Sequence, residues 1–270
     1  MTLNQASNQR SDNEPKSAIT GSIKGSFHSY PGKLIVLEGT DGVGRSTQAD
    51  LLQNWLAVEG YGVIVTEWKS SQLISRVIDK AKSKNALNTI TFSLLYATDL
   101  ADRLHNIILP ALRAGLIVIA DRYYYTAFAR DVVRGADPSW VRKLYGFAIE
   151  PDLVFYLKMP LELLLRRIIT TRGGLDFYES GRDIGMSTDL YQSFKLYQSQ
   201  ILLEYERMVD EYQFKAVAAD DPIDTVQKTL RSVVRELIGE EAPQVTVKNQ
   251  GISSPETGPP QIATSESKAS

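Results

Sequence analysis

The chain has 270 residues, of which 43% are hydrophobic and 23% charged, a composition typical of a globular protein with a sizeable core. Thirty Lys and Arg residues nearly balance 32 Asp and Glu residues, so the net charge of −2 argues against a surface that binds nucleic acid or anionic lipid. The absence of cysteine excludes disulfides, thiolate metal sites and cysteine nucleophiles, and two histidines, His28 and His105, argue against a Ser-His-Asp triad. We expect both histidines to be structural or solvated.

The two ends of the chain differ in composition from the middle. Residues 1–30 are rich in Ser, Asn, Gln and Gly, and residues 241–270 in Ser, Thr, Pro, Gln and Glu. Neither end buries enough apolar surface to offset the entropy of ordering, so we predict a disordered leader and tail around one domain over residues 31–240. A partner-binding role for the ends is the alternative. Without a targeting signal or an 18-residue apolar window, we expect a cytoplasmic protein that does not span a membrane.

Along the domain, short apolar runs alternate with helical patterns. Runs that are apolar on both faces are typical of a covered parallel sheet, and they occur at Lys33–Glu38, Tyr61–Thr66, Leu116–Ala120, Leu153–Leu157 and Phe214–Ala218. Apolar residues at helical spacing predict helices over Thr47–Val58, Phe92–Leu109, Leu161–Thr170, Tyr191–Val209 and Ile223–Ile238. The alternation predicts an α/β fold with a doubly wound, parallel, five-stranded sheet, helices on both faces and a ligand at the carboxyl ends of the strands.

A glycine-rich segment directly follows the first predicted strand and precedes the first predicted helix. It has the phosphate-loop spacing G-x-x-x-x-G-K-[ST], with Arg45 in place of the lysine. In such a loop the glycines let backbone amides surround a phosphate, the helix amino terminus adds positive charge, and the hydroxyl of Ser46 completes a Mg²⁺ shell. The predicted triphosphate-binding residues are Gly39, Thr40, Asp41, Gly42, Val43, Gly44, Arg45, Ser46 and Thr47. A chance glycine-rich turn is the alternative.

The third predicted strand ends at Asp121 and Arg122. A carboxylate at the tip of a strand next to a phosphate loop commonly approaches the metal, so Asp121 is a candidate Mg²⁺ ligand. Arg122 is placed to bind an anionic acceptor, and we predict catalytic roles for Arg45, Asp121 and Arg122. The alternative is an aspartate that caps the next segment and pairs with the arginine.

From Lys33 to Ile238 the chain resembles the thymidylate kinase family. The motifs that carry the resemblance are Leu37–Gln48, Leu94–Asp99 with Ile108–Leu112, Asp121–Tyr123 and Pro151–Leu157. The resemblance implies a P-loop NTPase fold with a helical lid at about residues 170–187. It also implies a homodimeric nucleoside monophosphate kinase that uses ATP and Mg²⁺ to convert dTMP to dTDP in nucleotide biosynthesis.

The resemblance also implies roles in binding the acceptor and the transferred phosphoryl group. Asp41 would face the sugar of the acceptor, and Arg122 would bind its phosphate. Tyr96 would stack on the base, although packing in the core explains this residue equally well. In the lid, Arg172 and Arg182 are the candidates to contact the transferred phosphoryl group. The other basic residues, Arg166 and Arg167, face solvent or pair with Glu162, and Glu179 is either a lid carboxylate of the site or an exposed loop charge.

Several residues depart from the family pattern and leave the acceptor open. Glu67–Ser70 replaces an Arg-Glu-Pro-Gly type of turn, and Leu100 replaces the arginine that contacts the edge of thymine. Arg103 is a candidate substitute for that arginine, with a solvated helix face as the alternative. Ala127 and Arg130 also differ from the family pattern. The alternatives are therefore a kinase for another monophosphate or, because Arg45 replaces lysine, a nucleotide-binding regulator with weakened catalysis.

Overall fold

The computed structural model describes residues 28–83 and 87–239. The predicted tail and most of the predicted leader lie outside the described residues. Of the leader, His28 is described, and its Nε2 lies 3.0 Å from the carboxylate of Asp152. This contact agrees with the structural interpretation of that histidine. Among the described residues, no helix has the length and apolarity needed to cross a bilayer.

Five parallel strands form a single sheet, which confirms the predicted fold class. In chain order they are β1 (Lys33–Glu38), β2 (Val63–Glu67), β3 (Ile117–Asp121), β4 (Leu153–Lys158) and β5 (Lys215–Ala218). Their order across the sheet is β2-β3-β1-β4-β5. Strand β1 is central because it pairs with both β3 and β4. Its register places Leu37 beside Asp121, so the carboxyl ends of β1 and β3 lie at the same edge of the sheet.

The central strands are buried because helices cover both faces of the sheet. Along β1, Leu34 and Val36 belong to one hydrophobic core, while Ile35 and Leu37 belong to the core on the opposite face. This alternation is the period-two geometry of a strand whose two faces are both covered. It explains why the residues from Leu34 to Leu37 are all apolar.

Nine α-helices are formed by the described residues. They are α1 (Arg45–Val58), α2 (Ser75–Ser83), α3 (Thr89–Arg103), α4 (Leu109–Arg113), α5 (Tyr124–Val133), α6 (Pro138–Leu144), α7 (Leu161–Arg172), α8 (Leu190–Glu211) and α9 (Ile223–Ile238). Helices α2, α5 and α6 were not predicted from the sequence. Helix α7 ends at Gly173, whose φ of 70° is a left-handed conformation that glycine adopts without steric cost.

The segment Phe92–Leu109 is helical throughout, as predicted, but it is not one regular α-helix. Helix α3 is followed by a π-helical turn at Leu104–Ile108 and then by α4. Pro110 lacks an N–H group and cannot donate to the carbonyl of Asn106, so an α-helix cannot continue unchanged through this point. The wider turn carries the chain past the proline toward β3.

Candidate active site

The glycine-rich segment forms a loop between β1 and α1 at the carboxyl edge of the sheet. Gly39, Gly42 and Gly44 have φ values of 142°, 79° and 101°, which L side chains rarely adopt. Gly44 precedes the first turn of α1, and no side chain caps that turn. The first amides of α1 therefore have no capping side chain, and with the positive end of the helix dipole they form a site for an anion.

We predict that Gly39→Ala destabilises the fold much more than Gly60→Ala does. A Cβ at Gly39 would lie 2.6 Å from the backbone carbonyl oxygen of Leu157, whereas a Cβ at Gly60 would meet nothing within 4 Å. Gly60 also has a positive φ, 89°, so Gly60→Ala measures the cost of placing a side chain on such a backbone without a clash. That cost is about 1–2 kcal/mol. Urea denaturation should show an additional loss of about 2 kcal/mol or more in Gly39→Ala. Equal losses would contradict the proposed close approach of β4 to the loop.

Arg45 lies beneath the loop. Its Nη1 donates to the carbonyl oxygen of Gly39 at 2.7 Å and to that of Thr40, and its Nε donates to Asp121 at 2.8 Å. The side chain is 8% exposed. Its guanidinium thus joins the loop to the end of β3. The single ammonium group of a lysine could not place donors at the same three oxygen atoms in this geometry.

Asp121 and Ser46 form the oxygen-rich corner of the site. Ser46 Oγ donates to Asp121 at 2.6 Å. Burial raises the pKa of Asp121, but Arg45, Ser46 and Arg122 outweigh that effect and hold the pKa below its usual range. No group of three or more acidic or histidine side chains suited to a metal occurs in residues 28–83 and 87–239. A hard cation here would therefore need oxygens from a bound phosphate, and a hydroxyl next to an ionised carboxylate fits that requirement.

Arg122 and Asp41 form an ion pair across the loop. Arg122 Nη2 donates to Asp41 at 2.5 Å, and Nη1 donates to Thr126 Oγ1 at 3.1 Å. Burial raises the pKa of Asp41, but the charges of Arg122 and Arg45 overcome this and lower it to about 2. Arg122 has a φ of 74°, a strained conformation for a residue with a side chain. Such strain persists only where surrounding contacts impose it.

A buried carboxylate that was not predicted from the sequence binds the segment directly after Arg122. Glu38 is wholly buried and accepts hydrogen bonds from the amide of Tyr123 at 2.8 Å, the hydroxyl of Thr126 at 2.7 Å and the hydroxyl of Tyr205 at 2.8 Å. Burial raises its pKa, although these bonds and Arg122 oppose the shift. The signal in the sequence was an acidic residue at the end of an otherwise apolar strand.

Two clefts meet at the phosphate loop. One, which we call the donor cleft, is lined by Gly44, Arg45, Ser46, Arg167, Arg172 and Asp221 among others. Arg167 Nη1 donates to the carbonyl oxygen of Val43 at 3.1 Å, so this residue contacts the loop and does not only face solvent. Arg166 is exposed, and Glu162 pairs with Lys195 at 2.7 Å.

The other cleft, which we call the acceptor cleft, reaches the loop at Asp41, which does not line the donor cleft. It is lined by Asp41, Trp68, Phe92, Tyr96, Arg122 and Arg130 among others. Tyr96 stacks with Trp68 at 5.5 Å between ring centroids and is 4% exposed, so it contributes both to a buried aromatic cluster and to the wall of the cleft.

The two candidate base-contact positions on α3 lie in the interior. Arg103 is fully buried and donates to Asp99 at 2.9 Å and to Thr66 at 3.0 Å, and it is not among the residues that line the acceptor cleft. Leu100 belongs to the hydrophobic core. The structure instead brings Arg130 of α5 and Arg134, at the end of the same helix, to the aromatic end of the cleft.

The predicted lid contains an ion pair at the mouth of the two clefts. Arg172 Nη1 lies 2.8 Å from Glu179, and these residues line the donor and acceptor clefts respectively. Arg182 donates to the carbonyl oxygen of Ser187 at 2.9 Å and to that of Thr188, and it lines neither cleft. Burial and the nearby charge of Asp41 raise the pKa of Glu179 to about 7, with Arg172 opposing them.

We predict that Glu179→Gln changes how stability depends on pH. The folded pKa of Glu179, about 7, exceeds its ordinary value of 4.5. Its contribution to stability is therefore complete below about pH 4.5 and is lost as the pH rises through about 7. Relative to Glu179→Gln, the wild type should lose stability over this window in thermal denaturation. The two proteins have all their other carboxylates in common. Parallel plots of melting temperature against pH would therefore contradict the raised pKa of Glu179.

Comparisons with known proteins agree with this geometry. The protein-family profile described as "Thymidylate kinase" matches residues 37–230. A protein named "Probable thymidylate kinase 2" from Saccharolobus solfataricus is 43% identical over 208 residues, which cover 77% of this chain and 97% of that protein. A "Probable thymidylate kinase" from Thermococcus kodakarensis is 31% identical, with 77% and 99% coverage. A "Thymidylate kinase" from Desulfotalea psychrophila is also 31% identical, with 77% and 96% coverage.

Proposed function

The chain belongs to the thymidylate kinase family, and we propose on that premise that it transfers the γ-phosphoryl group of ATP to dTMP and forms dTDP and ADP. The observation that carries the proposal is the meeting of two clefts at one loop. Asp41 lines the acceptor cleft and the next residue, Gly42, lines the donor cleft. Ligands in the two clefts would therefore approach each other at the phosphate loop.

In this mechanism the protein positions two nucleotides and supplies positive charge. The loop amides and the amino terminus of α1 bind the phosphates of ATP. Arg122 binds the phosphate of the acceptor, and Asp41 accepts a hydrogen bond from its sugar. The acceptor phosphate is already ionised, so the reaction needs no strong general base.

A divalent cation fits beside the phosphates. Ser46 and Asp121 would hold Mg²⁺ through the hydroxyl and the carboxylate, and the ion would neutralise charge that develops on the phosphate oxygens. Arg45 keeps Asp121 ionised and aimed at this corner. Arg172 lines the donor cleft and is the lid arginine best placed to contact the transferred group.

The test is a coupled assay of ADP release with ATP and Mg²⁺ across dTMP, dUMP, dCMP, dGMP and AMP. We expect turnover with dTMP and little ADP without an acceptor, because closure of the lid excludes water. Turnover of another monophosphate without turnover of dTMP would refute the assignment of dTMP as the acceptor. ATP binding without turnover of any acceptor would support a nucleotide-binding regulator. A cytoplasmic location and a homodimer, without nucleic acid or membrane partners, stay predictions.

A further inference from the structure

Arg130 stands out in the acceptor cleft because one of its terminal nitrogens, Nη2, is buried without a hydrogen-bond partner among the described residues. Within the described residues, the guanidinium of Arg130 donates a hydrogen bond from Nε to Asp131, at 2.9 Å. Nη2 is shielded from solvent and has no partner. A guanidinium has five N–H donors, and a donor left unpaired in a buried place is costly enough to need an explanation. A ligand that accepts from Arg130 would provide one.

The surroundings of Arg130 suit a flat ligand. Its Cζ lies 4.0 Å from the ring centroid of Tyr96 and 4.3 Å from that of Phe92, so the guanidinium packs over aromatic faces. Its side chain is 12% exposed, and Asp131, which is wholly buried, balances its charge. A balanced charge next to aromatic rings favours a neutral heterocycle over a phosphate.

A neighbouring arginine shows the contrast. Arg134 also lines the acceptor cleft, and its Cζ lies 4.9 Å from the ring of Phe92. Its nitrogens, however, donate to Asp183 and to the carbonyl oxygen of Tyr178 at 2.9 Å each, and to the hydroxyl of Tyr197. Arg134 therefore connects the lid to α5 and α8 through its hydrogen bonds. Nη2 of Arg130, by contrast, is left to donate to a ligand.

We propose that Arg130 determines base specificity by donating to a carbonyl oxygen of the acceptor base, with Asp131 as the positioning residue that fixes its Nε. This inference rests on the proposed function and specifies its substrate class. Arginine donates hydrogen bonds and accepts none, so it favours the 4-carbonyl of thymine or uracil. Cytosine presents an amino group at that position, and two facing donors repel each other. Between the two classes of pyrimidine, Arg130 therefore favours the keto bases over cytosine.

The decisive comparison uses dUMP and dCMP, which differ at this carbonyl and at the ring nitrogen beside it. We expect wild-type kcat/KM to be much higher for dUMP and dTMP than for dCMP. In Arg130→Met, kcat/KM for dUMP and dTMP should fall roughly ten- to hundredfold, the size of a lost charged hydrogen bond, while that for dCMP changes little. The ratio between dUMP and dCMP should collapse accordingly.

Two further variants keep the result interpretable. Arg130→Met leaves Asp131 without its partner, so the double variant Arg130→Met with Asp131→Asn removes both charges and protects the fold. Arg142→Met is the matched control, because Arg142 lies 5.2 Å from the ring of Phe128, pairs with Glu211 and does not line the cleft. It should leave the ratio unchanged.

Calorimetric titration of dUMP and dCMP separates this inference from the proposed function. If no monophosphate is turned over, the kinase proposal fails, and the binding ratio in wild type and Arg130→Met still decides the role of Arg130. The inference is overturned if wild type does not prefer dUMP to dCMP. It is also overturned if the folded variants keep the wild-type ratio or lose both ligands equally.

Discussion

Replacing Arg45 by alanine should lower kcat/KM by about a thousandfold or more, within the range that removal of a charge-stabilising arginine produces in phosphoryl transfer. The loss has two physical sources. The loop loses the guanidinium that holds the carbonyls of Gly39 and Thr40, and the buried Asp121 loses its cation. The second effect should also lower stability by about 3 kcal/mol, because Asp121 loses its ion-pair partner and keeps only Ser46 and the more distant charge of Arg122.

The control for this experiment is Arg45→Lys. Lysine keeps a positive charge beside Asp121 but cannot reach both carbonyls and the carboxylate at once, so we expect activity between those of wild type and Arg45→Ala. The values of kcat/KM for wild type, Arg45→Ala and Arg45→Lys are measured in steady-state assays in which ATP is titrated at a saturating concentration of the acceptor. Full activity in Arg45→Ala would refute the role of Arg45, and a lysine variant faster than wild type would support weakened catalysis in the natural chain.

The parts of the site that sequence analysis predicted are those encoded by local motifs. The glycines of the loop and the Asp121–Arg122 pair follow strands directly, so the strand, the turn and the functional residue are adjacent in the chain. Strand positions were predicted well for a similar reason, since a parallel sheet covered on both faces requires continuous apolar runs.

The parts that were missed depend on contacts between distant segments. Glu38 receives a hydrogen bond from Tyr205, 167 residues away, and Arg167 reaches Val43 across 124 residues. Arg130 was noted from the sequence only as a departure from the family pattern, because the helix that carries it, α5, was not predicted. Arg103 was the candidate base contact because it lies one helical turn beyond Leu100. Periodicity predicts that a helix exists more reliably than which of its polar residues face a cleft, because that face depends on tertiary packing.

Replacing Arg122 should separate catalysis from folding more cleanly than any other change at this site. Arg122 has a φ of 74°, which glycine adopts without strain, so Arg122→Gly relieves about 1–3 kcal/mol of backbone strain. That relief offsets part of the lost ion pair with Asp41. We therefore expect Arg122→Gly to be better folded than Arg122→Met, although neither retains the guanidinium.

Both Arg122 variants should lose about a thousandfold in kcat/KM for the acceptor, because the phosphate that attacks ATP is no longer held in line. Affinity for ATP should change only a few-fold, since Arg122 lines the acceptor cleft and not the donor cleft. Acceptor kinetics, ATP titration and thermal denaturation of the two variants measure these three quantities. If a well-folded Arg122→Gly keeps wild-type kcat/KM, the acceptor phosphate does not bind at the end of β3, and the arrangement of the two clefts proposed above is wrong.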